Sequence, residues 1–145
     1  MNERDLLGSW TAQKLAHNFH RLAEPFETEF EFVRQRGHPS SYAFVRFQAI
    51  PADESSLHFS VDWPAELDEV YSTRIRHAIA EGVLDALYGS SHYPYRGLTL
   101  TLVAFGWDQL GGSEVAVHRA TTEAMHHLKT HARWEVVGGR YRSYE

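Results

Sequence analysis

The chain has 145 residues, 43% hydrophobic and 23% charged, with no cysteine and a formal net charge of −5. That is one domain's length and an ordinary globular composition, which excludes a disordered chain, a coiled coil, disulfides, thiolate metal sites and thiol nucleophiles. Apolar runs of a few residues fall short of the ~18 a membrane span needs, and the acidic balance argues against a general electrostatic nucleic-acid binder while leaving room for a local basic patch.

The start Met1-Asn2-Glu3-Arg4-Asp5 is not that of a signal peptide, so a cytoplasmic protein with no membrane partner is expected. Leu7, Trp10, Leu15, Phe19 and Leu22 recur at near-helical spacing and predict an amphipathic helix over residues 5–23, an N-terminal extension occupying residues 1–24. Glu24-Pro25 ends it. From Phe26 to Phe32 apolar and acidic residues alternate, which predicts a half-buried strand. Turn residues collect at Arg36-Gly37-His38-Pro39-Ser40-Ser41, and residues 42–50, rich in aromatic and β-branched side chains, read as the hairpin partner. A break at residues 51–56 precedes a third short strand at 57–61.

After Trp63-Pro64 the period changes to helical steps through Leu67, Val70, Tyr71, Ile75, Ile79, Val83 and Leu87, with Pro64 near the helix start and Gly89 as its cap. Residues 97–103 alternate leucine with threonine as a strand. A glycine-bearing loop through Gly106, Gly111 and Gly112 opens a helix from Ser113 to about His131. Residues 134–137 add a last strand before a polar tail at 138–145. The order predicts a single α+β domain over residues 1–145, with helices on one face of a mixed, mostly antiparallel sheet and its core within 26–137.

Few constellations carry chemistry. His127 and His131 stand four apart on a helix, a spacing that can chelate a metal, but with no third ligand fixed by sequence they read as a solvated helix end and no metal site is expected. Neither a phosphate-binding P-loop nor a Gly-x-Ser-x-Gly nucleophile turn is present. Nothing requires a cofactor. Glu27, Glu29 and Glu31 read as the solvated face of a strand, and Gly111-Gly112-Ser113-Glu114 as a capped helix start. Arg34, Arg36, His38 and Arg46 gather on the first hairpin of an otherwise acidic chain. They read either as cross-strand partners of Glu29 and Glu31 or as a surface for RNA phosphates.

Phe32-Val33-Arg34-Gln35-Arg36-Gly37 followed by Tyr42-Ala43-Phe44-Val45-Arg46-Phe47 resembles the opening hairpin of the fourth domain of translation elongation factor G. Ile75-Arg76-His77-Ala78-Ile79-Ala80-Glu81-Gly82-Val83-Leu84-Asp85-Ala86-Leu87 resembles that domain's first helix. Tyr93-Pro94 and Leu98-Thr99-Leu100-Thr101-Leu102 resemble its next loop and central strand, and Ser113-Glu114-Val115-Ala116 the start of its next helix, in register over roughly residues 30–128. The resemblance implies a βαβ unit with a left-handed crossover, and a protruding tip that in the family enters the small ribosomal subunit and contacts RNA. The tip loops correspond to residues 36–42 and 103–112. The second carries Phe105, Gly106, Asp108 and Gln109, with Asp108 where the family usually has His.

Three functions follow from these residues. The first is a non-catalytic, stand-alone module that binds the small ribosomal subunit or another structured RNA through Arg34, Arg36, His38 and Arg46, with Tyr42 and Trp107 stacking on bases. The second is a protein-interaction or self-associating module, a homodimer included, that has lost RNA binding and presents Phe105, Trp107 and Leu110 on an apolar loop. An enzyme on the same fold ranks below both, with His92, Asp108, Glu114 and His118 as its residues to inspect. With no GTP-binding motif in these residues, no GTPase activity is expected of them.

Overall fold

The computed structural model describes residues 18–34, 41–65, 67–89, 93–107 and 113–137. In chain order the strands are β1 (Phe19–Leu22), β2 (Phe26–Arg34), β3 (Ser41–Pro51) and β4 (Ser56–Phe59). Helix α1 (Glu69–Leu84) follows, with a π-helical turn (Asp85–Gly89). Then come β5 (Tyr95–Arg96), β6 (Leu98–Trp107), α2 (Glu114–His131) and β7 (Trp134–Val137).

The strands form two sheets, where the sequence predicts one. A four-stranded sheet has the order β2-β3-β6-β4, and a three-stranded sheet the order β5-β1-β7. Three pairings are antiparallel and two, β1 with β5 and β4 with β6, are parallel. The fold is therefore mixed α+β. Helix α1 connects the parallel neighbours β4 and β6, as a βαβ unit must.

Period-two alternation sets the inner face of the large sheet. Ala43, Val45, Phe47 and Ala49 of β3 are wholly buried, as are Leu98, Leu100 and Leu102 of β6 and Leu57 of β4. Against them α2 buries Ala116, Val117, Ala120, Thr121, Ala124, Met125 and Leu128. The Thr28 hydroxyl, buried in β2, donates to the Ala124 carbonyl at 2.9 Å, which ties strand to helix with a satisfied polar group.

The two helices run side by side in the same direction. Arg74 meets Glu114 near their beginnings, Gly82 meets Thr121 midway, and Lys129 donates to the Ala86 carbonyl at their ends. Gly82 makes the close approach possible, since a Cβ there would stand 2.9 Å from the Thr121 Cβ.

Three expectations need correction. The helix predicted over residues 5–23 is absent at its C-terminal end, where Phe19–Leu22 is the middle strand of the small sheet; residues 1–17 lie outside the described residues. Pairing on both sides overrides the local period there. The helix expected from Pro64 begins at Glu69 instead, because Asp68 caps it by accepting from the Tyr71 amide at 2.6 Å. The strand at 97–103 extends to Trp107, so Phe105, Gly106 and Trp107 belong to β6 and not to a loop. Among the described residues no helix is long and apolar enough to cross a membrane.

Candidate binding surface at one end of the sheet

The pairing of β2 with β3 closes at Arg34 opposite Ser41, and Trp107 of β6 lies opposite Ala43. The Arg34–Ser41 end of the β2–β3 pair and the Trp107 end of β6 therefore lie at the same end of the sheet. Because α1 runs antiparallel to β6, its first turn reaches that end too, and Tyr71 packs on Trp107 with ring centroids 5.7 Å apart. The Ser113 hydroxyl accepts from the Ala116 amide at 3.1 Å and begins α2 there. The ends of β2 and β6, the start of β3 and two helix starts thus converge on one tip.

A bulge decides which aromatics face where. Phe47 pairs with Leu102 but Arg46 with Ala104, so Val103 is an extra residue on β6 and the alternation inverts beyond it. Phe105 and Trp107 consequently turn to the helix side. Phe105 meets the Trp63 ring edge-on at 5.2 Å, Trp63 packs on Phe59 at 5.7 Å, and the Arg76 guanidinium lies 5.3 Å from the Trp63 ring. The Arg74 guanidinium lies 5.7 Å from the Tyr71 ring. This corrects the expectation of an apolar loop: Phe105 and Trp107 are half-buried members of an aromatic cluster.

On the opposite face stand Tyr42, Phe44 and Arg46. A Cβ at Gly106 would approach the Phe44 Cβ at 3.0 Å and the Tyr42 hydroxyl at 3.2 Å, so the absent side chain makes room for both. Tyr42 donates to Glu31 at 3.1 Å. Arg46 pairs with Glu29 at 3.0 Å and reaches Glu27 at 4.0 Å, with its guanidinium 5.6 Å from the Phe44 ring. Of the two readings of Arg46, the geometry is that of the cross-strand ion pair. Arg36, His38, Asp108, Gln109, His92 and Leu110 lie outside the described residues, as does the side chain of Arg34.

The residues weighed for catalysis divide. Glu114 and His118 line one open cavity of about 540 Å³ between the helices, together with Thr73, Arg74, His77, Ala78, Glu81 and Val115. Glu114 is engaged by Arg74 at 2.8 Å, and His118 Nε2 lies 2.8 Å from the Asp85 carboxylate. Among the described residues no group of three or more His, Asp or Glu side chains is arranged to hold a metal.

A separate cluster sits at the small sheet. His20 stacks on Tyr95 at 4.2 Å, and Tyr95 meets Trp134 edge-on at 4.8 Å. The Lys129 ammonium lies 5.5 Å from the Tyr95 ring, while the Arg96 guanidinium covers Phe19 at 4.1 Å. Burial lowers the pKa of His20, Arg96 and Lys129 alike, because desolvation disfavours each charged form.

Sequence reading missed Trp63, Tyr71, Arg74 and Arg76 as tip residues. Their signal was present as aromatic and basic residues at the start of a helix that follows a parallel edge strand, but only the β6 bulge brings Phe105 and Trp107 to them.

A scan against protein-family models finds no match, and a search of curated proteins finds none. Among solved structures the chain is similar to a protein from Thermus thermophilus, with a TM-score of 0.70 and 16% identity over 83% of this chain. The match takes up 18% of that longer chain. At this identity the likeness is one of fold.

Proposed function

We propose that the chain is a non-catalytic module of the elongation factor G fourth-domain type, acting in the cytoplasm, whose tip binds structured RNA, first of all on the small ribosomal subunit. The observation that carries this reading is that the Arg34–Ser41 end of the β2–β3 pair and the Trp107 end of β6 lie together at one end of the sheet. A fold match that occupies under a fifth of a longer chain suits a domain that elsewhere works as one part of a multidomain factor.

Arg34, Arg36 and His38 supply the charge for phosphate contact. Tyr42 offers an aromatic face for a base, while the packed Trp107 and Phe105 keep the end of β6 rigid.

Co-sedimentation with ribosomal subunits tests the proposal. The wild-type chain pellets with the small subunit at low salt and releases as salt rises, because phosphate contacts exchange with counterions. The Arg34→Glu, Arg36→Glu double variant stays in the supernatant. Failure of the wild type to pellet at any salt would limit the resemblance to fold.

A further inference from the structure

Strand β2 is an edge of the described sheet. Among the described residues it pairs with β3 alone, through nine unbroken residue pairs from Phe26 opposite Ala49 to Arg34 opposite Ser41. Alternate residues of such a strand direct N–H and C=O away from the sheet. Edges this long are ordinarily blunted by proline, a bulge or charged side chains; Phe26–Arg34 has no proline, lysine or bulge, and its charges are Glu27, Glu29 and Glu31 with Arg34 at its end.

It is also two-sided. Glu27, Glu29 and Glu31 are exposed on the outer face, while Phe26, Phe30 and Phe32 on the inner face are only partly covered, unlike the fully buried Thr28 between them. The charge is unbalanced as well. Arg46 answers Glu29 and Glu27, and Tyr42 donates to Glu31, so three carboxylates face one guanidinium.

We propose that β2 is a docking edge for an extended segment of another protein in which basic and apolar residues alternate. Added as a fifth strand, the segment hydrogen-bonds to the open side of β2. Its basic side chains lie beside Glu27, Glu29 and Glu31, and its apolar ones cover the exposed flanks of Phe26, Phe30 and Phe32. A second copy of this chain does not fit, because pairing β2 with itself sets one row of glutamates against another. RNA does not fit either, since the carboxylates repel phosphate. Glu27, Glu29 and Glu31 lie along the side of the sheet, short of Arg34 at the tip end.

The test uses the whole chain and fluorescence anisotropy of a labelled nine-residue peptide of alternating lysine and valine. Two companions serve as controls, a glutamate–valine peptide and the lysine–valine peptide N-methylated on alternate amides. Saturable binding of the lysine–valine peptide is expected, weakened about tenfold or more by N-methylation, which removes strand hydrogen bonds and leaves the charge. Hydrogen exchange should slow at the amides of residues 26–34. The Glu27→Lys, Glu29→Lys, Glu31→Lys variant should prefer the glutamate–valine peptide. A Glu27→Gln, Glu29→Gln, Glu31→Gln variant, milder for folding, should lose discrimination between the two peptides. Equal binding of the methylated and unmethylated peptides, protection elsewhere than β2, or no saturable binding would each overturn the proposal.

Discussion

Trp107, the last residue of β6, is packed on Tyr71 in the first turn of α1, with ring centroids 5.7 Å apart. The contact ties the end of β6 to the start of α1. It also buries the indole N–H, which has no hydrogen-bond partner among the described residues. Those two facts pull in opposite directions. Trp107→Ala should cost about 3 kcal/mol through lost packing. Trp107→Phe keeps a ring against Tyr71 and removes the orphaned donor, so its cost should stay below about 1 kcal/mol. Urea unfolding of the two variants separates them; equal losses would mean that the ring contact contributes little.

Gly82 of α1 stands against Thr121 of α2. Helix propensity alone predicts a gain of about 1 kcal/mol for Gly82→Ala. The new Cβ, however, would stand 2.9 Å from both Cβ and Cγ2 of Thr121 and 3.3 Å from the His118 carbonyl oxygen. Relieving that overlap moves one helix against the other, at a cost of about 1–3 kcal/mol. Gly82→Ala should therefore destabilise, with a lower urea midpoint than wild type. A rise in the midpoint would show that the two helices separate at little expense.

These contacts also show where the sequence is informative. Ser113, followed by Glu114, marks the start of α2 by its own hydrogen bond to the Ala116 amide, so that boundary was legible. The period-two pattern of Phe26 to Phe32 was legible for the same local reason. Phe19 and Leu22 were not, because a three-residue step fits a helix, and only pairing with Val137 and Trp134, over a hundred residues away, makes them strand. Val103 is the sharper case. One extra residue against β3 turns Phe105 and Trp107 from the open face to the helix side, and nothing in Val103 itself announces a bulge. The expected apolar loop failed at that residue.

Arg46 separates the two uses of the first hairpin. Its guanidinium is held by Glu29 on an exposed face, where such pairs contribute about 1 kcal/mol or less. Arg46→Gln should leave the unfolding midpoint nearly unchanged. It should also leave small-subunit co-sedimentation close to wild type, while Arg34→Glu, Arg36→Glu abolishes it. A strong loss of pelleting in Arg46→Gln, at unchanged stability, would move the RNA contact from the tip onto the open face of the sheet.

His20 makes the fold sensitive to mild acid. Burial lowers its folded pKa below the ordinary 6.5. Between those two values the unfolded chain binds more protons than the folded one, so stability rises with pH in that window. Its contribution is complete above pH 6.5 and is lost progressively as pH falls through the folded value. Protonation there also adds a cation to the ring of Tyr95, which already faces the Lys129 ammonium. His20→Phe keeps an aromatic ring against Tyr95 and removes the titration. The melting temperature of the wild type should fall more than that of His20→Phe between about pH 7.5 and about pH 5, the remaining histidines and carboxylates being common to both. Parallel pH profiles would mean that the His20 proton equilibrium is the same folded and unfolded.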